Sequence, residues 1–394
     1  MDLAAFQALL TPAGQEALQA ALQRQPKGED FLAHFQALER VYPRELARAA
    51  LETAILRRQA GGKFPQAEKM YFTRESLEQA TAYEVARYRA ERYQPFPQVA
   101  DLGCSIGGDS LALAAVTAVI GLDIDPLRLA MARANLAALS LDQKATLIQA
   151  DLRTRLPLAP RLALFFDPAR REGSRRMHTT RQYNPPLSCI QEWLPAFPDL
   201  GVKVSPGVKL DELRGYPAEV EFISLKGELK EATLWFGALK TASRRATVLP
   251  GAHTLTETPE AALPLSEPRA YLYEPDPAVI RAGLVAVLGA SLEAAQLDAE
   301  IAYLTAHRQI QTPFARCWQV TDWFPFGLKR LRAYLREHGI GRVTVKKRGS
   351  PLEPEKLIQD LRLRGDNQAT IFLTHLRGEP IVVVGQELAT SSQT

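Results

Sequence analysis

The sequence predicts an α/β fold: a parallel sheet with helices on both faces, preceded by a helical segment and followed by a smaller α+β module. Three observations carry this expectation. Between residues 95 and 240, short apolar runs alternate with helical stretches, the pattern of strands joined by crossover helices. Residues 2–60 instead place Leu9, Leu10, Leu18, Leu22, Phe31, Phe35 and Leu38 at helical spacing. From about residue 310 the order becomes strand, helix, strand, helix, strand.

Each element has a local reason. Pro12, Pro26 and Pro43 divide the lead-in into short helices. Residues 74–92, rich in Glu, Ala and Arg, read as a continuing helix that covers a pocket or supports a substrate. Val99-Ala-Asp-Leu is a short strand feeding the turn Gly-Cys-Ser-Ile-Gly-Gly, after which a helix begins near Asp109. A second strand, Ala118-Val-Ile-Gly-Leu, ends at Asp123, and the alanine-rich stretch 127–139 is the helix that packs on it. Ala145 to Asp151 is a third strand, Leu162 to Pro168 a fourth, and Lys203-Val-Ser-Pro-Gly falls where a fifth ends. Glu219–Ser224 and Glu231–Phe236 read as an antiparallel pair that closes the sheet. A proline-rich stretch, 250–277, leads to a helical segment near 278–306. The end module then runs Cys317–Val320, Gly327–His338, Arg342–Lys346, Glu353–Arg362, Ala369–Thr374 and Pro380–Val384.

The turn after the first strand carries the chemistry. Gly103, Gly107 and Gly108 lack a Cβ and can take positive φ, so backbone can approach a ligand closely. Asp123 follows Asp101 by 22 residues, where a second parallel strand ends and its carboxylate can accept both hydroxyl protons of a ribose. The loop alone fits two cofactors, because Gly103-x-Ser105-x-x-Gly108 is one substitution from the dinucleotide pattern. Asp101 before the first glycine, with the strand-end acids Asp151 and Asp167, tips the reading toward S-adenosylmethionine. Asp151 then meets the adenine amino group, and Asp167-Pro168 stands at the methyl acceptor.

From these residues the chain resembles the class I S-adenosylmethionine-dependent methyltransferases over residues 95–240. From about residue 60 it resembles the bacterial members that end in a THUMP-like domain. The matching stretches are Lys69 to Thr81, the cofactor loop, Phe166 to Arg171, Lys203 to Val208, Tyr273 to Arg281 and Gly341 to Gly349. The resemblance implies a Rossmann-like, seven-stranded sheet, with domains at 1–92, 93–240, 241–308 and 309–388. It implies cofactor contacts from Asp101, Gly103, Ser105, Gly107, Asp123 and Asp151, and catalytic roles for Asp167 and Pro168. It also implies an RNA substrate, tRNA or rRNA, because THUMP domains of tRNA-modifying enzymes hold RNA.

Composition sets outer limits. At 394 residues, with 46% hydrophobic and 23% charged, the chain has the makeup of a globular protein with several domains. Cys104, Cys189 and Cys317 are too few and scattered for a disulfide framework or zinc site, and the six histidines show no paired spacing for a metal. The N-terminus lacks a signal-peptide pattern and no 18-residue apolar run occurs, so a cytoplasmic enzyme off the membrane is expected. The net charge of +4 is mild, and its distribution says more. Arg170, Arg171, Arg175, Arg176 and Arg181 follow the Asp-Pro pair, and Lys346, Lys347 and Arg348 lie near Arg362 and Arg364. Guanidinium forks match phosphates, so both clusters are candidate contacts to an anionic substrate.

The acceptor end departs from a common pattern. Enzymes that methylate exocyclic base amines carry Asp or Asn, Pro, Pro and an aromatic, whereas this chain has Asp167-Pro168-Ala169-Arg170. Tyr183 is the candidate to supply the missing ring from the next loop. For an amine acceptor, Asp167 and the Pro168 carbonyl take its hydrogen bonds; Lys203 either faces the cleft or serves structure. A thiolate route through Cys189 is disfavoured, since that residue opens a packed helix. Two other functions stay open: methylation of a protein or small anionic molecule, and RNA binding with a vestigial cofactor site, because Ser105 replaces the middle glycine.

Overall fold

A computed structural model describes residues 1–169, 171–172, 175–176, 179–259 and 262–388. The chain divides into two compact units, the first Met1–Val220 with Glu231–Thr241, the second Glu221–Lys230 with Ala242–Thr394.

The first unit opens with α1 (Leu3–Leu10), α2 (Pro12–Gln23), α3 (Phe31–Leu38) and α4 (Arg44–Ala60). Asp2 caps α1 by accepting from the Ala5 amide at 2.8 Å, and Thr11 caps α2 ahead of Pro12. Helix α4 buries Ala47, Ala50, Leu51, Ala54 and Ile55, and these join one apolar cluster with Val99, Phe165 and Trp235 of the sheet. The lead-in is therefore part of the same core as the sheet.

The expected helix over 74–92 is broken into α5 (Arg74–Gln79) and α6 (Tyr83–Ala90). Thr73 and Ser76 form a capping box at the start of α5. At its end, Lys63 Nζ donates to the carbonyls of Leu77, Glu78 and Ala80 at 2.6, 3.1 and 3.2 Å. An ammonium that takes up the last carbonyls ends the helix there, a long-range partner that helical propensity does not register.

The sheet of this unit contains β1 (Gln98–Leu102), then α7 (Gly108–Ala114), β2 (Ala118–Asp123), α8 (Pro126–Ala138), β3 (Ala145–Gln149) and β4 (Ala163–Phe166). A two-residue ladder, β5 (Arg171–Glu172) with β6 (Arg175–Arg176), precedes α9 (Ile190–Trp193) and β7 (Leu200–Val204). The hairpin strands β8 (Glu219–Leu225) and β9 (Glu228–Trp235) follow, their turn-side residues clustering with the second unit. Strand order is β3-β2-β1-β4-β7-β9-β8. β1 pairs in parallel with β2 and β4, as do β2 with β3 and β4 with β7, while β7 and β9 are antiparallel. Strand order reverses between β1 and β4, so their carboxyl ends open a crevice there. Gly103, Asp123 and Asp167 all fall at that edge.

The second unit holds β10 (Arg244–Leu249) and β11 (His253–Thr256), which follow β8 in sheet order and take the strand count beyond the expected seven, to nine. After β12 (Tyr271–Pro275) come α10 (Pro277–Ala282), α11 (Val285–Ser291), β13 (Ala295–Asp298) and β14 (Ile301–Ala306). The helical reading of 278–306 is thus corrected in its second half, which is a hairpin. Ile301 and Tyr303 of β14, two residues apart, enter one apolar cluster with Leu297 of β13, Trp318 and Phe372, the strand period of two. The unit ends with β15 (Ala315–Pro325), α12 (Leu328–Glu337), β16 (Ile340–Lys347), α13 (Pro354–Leu361), β17 (Asn367–Leu376) and β18 (Glu379–Glu387), the order expected from the sequence. Its seven strands run β13-β14-β12-β15-β18-β17-β16, and Leu331, Leu335, Leu357 and Leu361 seat the two helices on it.

Candidate active site

A cavity of about 470 Å³ lies at the carboxyl ends of β1, β2 and β4. The turn leaving β1 forms its floor. Gly103 has φ +80°, and a Cβ there would stand 3.1 Å from the Asp167 carbonyl oxygen. The amides of Gly103 and Cys104 both donate to the Leu122 carbonyl, at 2.8 and 3.0 Å, which folds the turn over the end of β2. Ser105 takes φ 50°, and Gly107, at φ 82°, is the left-handed cap that starts α7. Gly107 shapes the turn without lining the cavity, while Gly103 and Ser105 do both.

Asp123 is 7% exposed and lines the cavity. Its Oδ2 accepts from the Ser105 amide and its Oδ1 from the Asp125 amide, each at 2.9 Å. Each oxygen keeps a second lone pair for a ligand hydroxyl, so this one carboxylate shapes the loop and is free to receive a ligand. Beside it Ile124 is 55% exposed on the cavity wall, an apolar face suited to a flat ring. Asn135, buried on α8, donates to the Ile106 carbonyl at 2.9 Å and to the Tyr71 carbonyl at 3.1 Å, and accepts from the Tyr71 amide at 2.7 Å. It joins the glycine turn to the segment before α5.

Helix α5 and the residues after it form another wall, through Ser76, Gln79 and Thr81. Beside the end of β4, where the sequence places the methyl acceptor, the cavity is lined by Asp167, Pro168, Ala169, Asn184 and Pro185. Ala169 and Asn184 pair antiparallel, amide to carbonyl in both directions, at 3.2 and 3.0 Å. Lys203 Nζ donates to Asp167 Oδ2 at 2.6 Å and to Thr81 Oγ1 at 2.7 Å. Below the floor Arg89 pairs with Asp109 at 2.5 Å and with Glu231 at 2.8 Å, its guanidinium 4.4 Å over the Phe165 ring. Burial pushes the Glu231 carboxyl up, although Arg89 opposes it.

Several expectations from the sequence change here. Asp101 is 1% exposed, does not line the cavity, and accepts from Ser110 Oγ at 2.5 Å behind the turn. Burial, with Asp109 nearby, pushes its carboxyl up to about 8. Asp151 does line the cavity, yet both its oxygens are taken by Arg153 at 2.6 to 3.1 Å, which holds the carboxyl down to about 2. Tyr183 supplies no stacking ring, for it is buried and its hydroxyl accepts from the Ser205 amide at 3.0 Å. Lys203 is 3% exposed and faces Asp167 instead of opening on the cleft. Arg170 and the side chains of Arg171, Arg175 and Arg176 lie outside the described residues.

In the second unit the lysine cluster is spoken for. Lys346 pairs with Glu274 and lies 4.9 Å from the Trp318 ring centroid; Arg348 pairs with Glu274 at 3.6 Å and Lys347 with Glu353 at 2.7 Å. Burial drives the Cys189 thiol up to about 12, as expected of a structural cysteine. Among the described residues no group of three or more His, Cys, Asp or Glu is placed to hold a metal, and no helix is long and apolar enough to cross a membrane.

The sequence reading missed Ile124, Thr81, Arg89 and Asn184. For Asn184 a signal existed: Asn184-Pro185-Pro186 repeats the Asn-Pro-Pro pattern one loop beyond Asp167.

The cavity suits an adenosyl ligand: a turn that a Cβ would crowd, an acid with spare lone pairs for a ribose, and an exposed apolar residue beside it. A reversed-order α/β sheet with this pocket defines a class I methyltransferase, and the chain belongs to the S-adenosylmethionine-dependent methyltransferases. It is 36% identical over 337 residues to a protein described as an uncharacterized S-adenosylmethionine-dependent methyltransferase in Mycobacterium tuberculosis CDC 1551 / Oshkosh, covering 83% of this chain and 92% of that one. The counterpart in strain ATCC 25618 / H37Rv matches equally. The fold is also that of a candidate methyltransferase from Porphyromonas gingivalis W83, with a TM-score of 0.76 at 20% identity, over 92% of this chain and 100% of that one. Residues 315–387 match a family described as THUMP domain-like, and residues 2–60 match a domain of unknown function.

Proposed function

We propose that this methyltransferase acts on RNA, at a base of tRNA or rRNA, with the THUMP-like domain helping to hold the nucleic acid. The observation that carries the reading is the pairing, on one chain, of a methyltransferase fold with a THUMP-like domain at residues 315–387. Exposed cations in that domain, Arg342, Arg362 and Arg364, and the arginines that follow Asp167 in sequence, are the phosphate contacts in this reading.

Gly103, Ser105, Asp123 and Ile124 hold the cofactor, and Asp167 and the Pro168 carbonyl receive the acceptor. When bound, S-adenosylmethionine supplies a methyl group already activated on a sulfonium. The chain's own contribution is alignment of the acceptor, with α5 and Thr81 limiting the entry of water. Asp123→Ala is expected to weaken cofactor binding at least about tenfold by isothermal titration, since it removes both the charged acceptor for the ribose hydroxyls and the anchor of the Ser105 amide.

Tritium from a labelled methyl donor, added with the purified enzyme to extract of a strain lacking the gene, tests the substrate. Label in tRNA or rRNA supports the reading. Label confined to protein or to small anionic molecules would overturn it.

A further inference from the structure

We propose that Asn184 is an acceptor-binding residue, and that it and Asp167 together receive an amino group, a nitrogen bearing two hydrogens. This builds on the RNA reading by narrowing its acceptor to an amine.

Two segments, Asp167-Pro168-Ala169 and Asn184-Pro185, lie side by side through the double hydrogen bond between Ala169 and Asn184. Both line the acceptor end of the cavity. The Asn184 side chain is exposed there and, among the described residues, has no hydrogen-bond partner. Asp167 has Oδ2 committed to Lys203, which leaves Oδ1. With its amide oxygen turned inward, Asn184 adds a third acceptor to the Asp167 oxygen and the Pro168 carbonyl, enough for an N–H pair.

The same inventory disfavours a hydroxyl acceptor. A hydroxyl must lose its proton as it attacks, which calls for a base within reach. Among the described residues, the acid beside Asn184, Asp167, already pairs with an ammonium, no histidine lines the cavity, and an amide is no base. An amine needs no such help. Its lone pair forms the N–C bond while the C–S bond breaks and that electron pair stays on sulfur; the new cation then releases one N–H proton to water. Two acceptors gripping its hydrogens aim the lone pair.

The test uses the full chain, tritiated methyl donor and extract of a strain lacking the gene. Nuclease and protease release assign the label to RNA or protein, and mass spectrometry of the nucleosides or amino acids assigns the methylated atom. An N-methyl amino group on a base is expected. Asn184→Ala is expected to lower transfer at least about tenfold with cofactor affinity unchanged, and Asn184→Asp, which keeps an acceptor oxygen, to retain more. Because the side chain is exposed, truncation leaves the backbone pairing in place, which circular dichroism checks. An N-methyl product in protein upholds the amine assignment and rejects the RNA reading. A ribose methyl ether, a methyl ester, a carbon-methyl product, or wild-type transfer by Asn184→Ala overturns the inference; no transfer into any fraction overturns both.

Discussion

Lys203 Nζ stands 2.6 Å from Asp167 Oδ2 and 2.7 Å from Thr81 Oγ1, so one buried ammonium ties the acid at the end of β4 to the segment after α5. In the proposed reaction Lys203 is a positioning residue, acting through Asp167. Lys203→Met should leave cofactor affinity within a few-fold by titration and lower kcat of methyl transfer about tenfold to a hundredfold, with little change in KM. Lys203→Arg, which restores a cation, should recover part of the loss. A substitution that lowers folding stability and spares kcat would mark the pair as purely structural.

Asn135 satisfies three backbone groups, on Tyr71 and Ile106, in a fully buried place. Asn135→Leu leaves them without partners. Urea denaturation should show a loss of about 3 kcal/mol, the cost of orphaning buried polar groups. Cofactor affinity should fall as well, because the Ile106 carbonyl belongs to the glycine turn.

Asp101 sets a pH dependence of stability. Its folded carboxyl, pushed up to about 8, keeps a proton that the unfolded chain, near 3.8, has already lost. Between those values the folded state binds more protons, so stability falls as pH rises from about 4 to 8. Buried Glu231 acts in the same direction. Asp151, held down to about 2, works the other way but only below its ordinary range, outside this window. Thermal melts from pH 5 to 8 should therefore slope downward in the wild type and less so in Asp101→Asn, whose amide oxygen still accepts from Ser110.

Charge pairing separates the cations of the second unit. Lys346 is neutralised by Glu274, whereas Arg362 and Arg364 are exposed and, among the described residues, carry no acidic partner. In filter binding of bulk tRNA, Lys346→Ala should stay within about twofold of wild type. The double substitution Arg362→Ala with Arg364→Ala should weaken binding and reduce the salt slope by about 1.5, close to two phosphate contacts. The reverse ranking would return the lysine cluster to the RNA surface.

The sequence by itself determined the elements whose cause is local: the glycine turn after Leu102, the strands that run up to Asp123 and Asp167, the break between helices at Pro12, the alanine-rich helix after Pro126, and the alternation that builds the end module. Period, capping chemistry and the absence of a Cβ act within a few residues, so they can be read along the chain. Only the tertiary structure decided which polar groups reach the cavity. Asp101 looks inward to Ser110 while Asp123, on the neighbouring strand, lines the cavity; Tyr183 turns to Ser205 while Asn184, next in the chain, lines the cavity beside Pro168. Lys203 finds Asp167 across 36 residues, Lys63 ends α5, and Glu274 takes Lys346 from 72 residues away. Side-chain direction and long-range partners are settled by packing, because a buried polar group goes wherever a hydrogen bond awaits it, and that place is set by the whole fold.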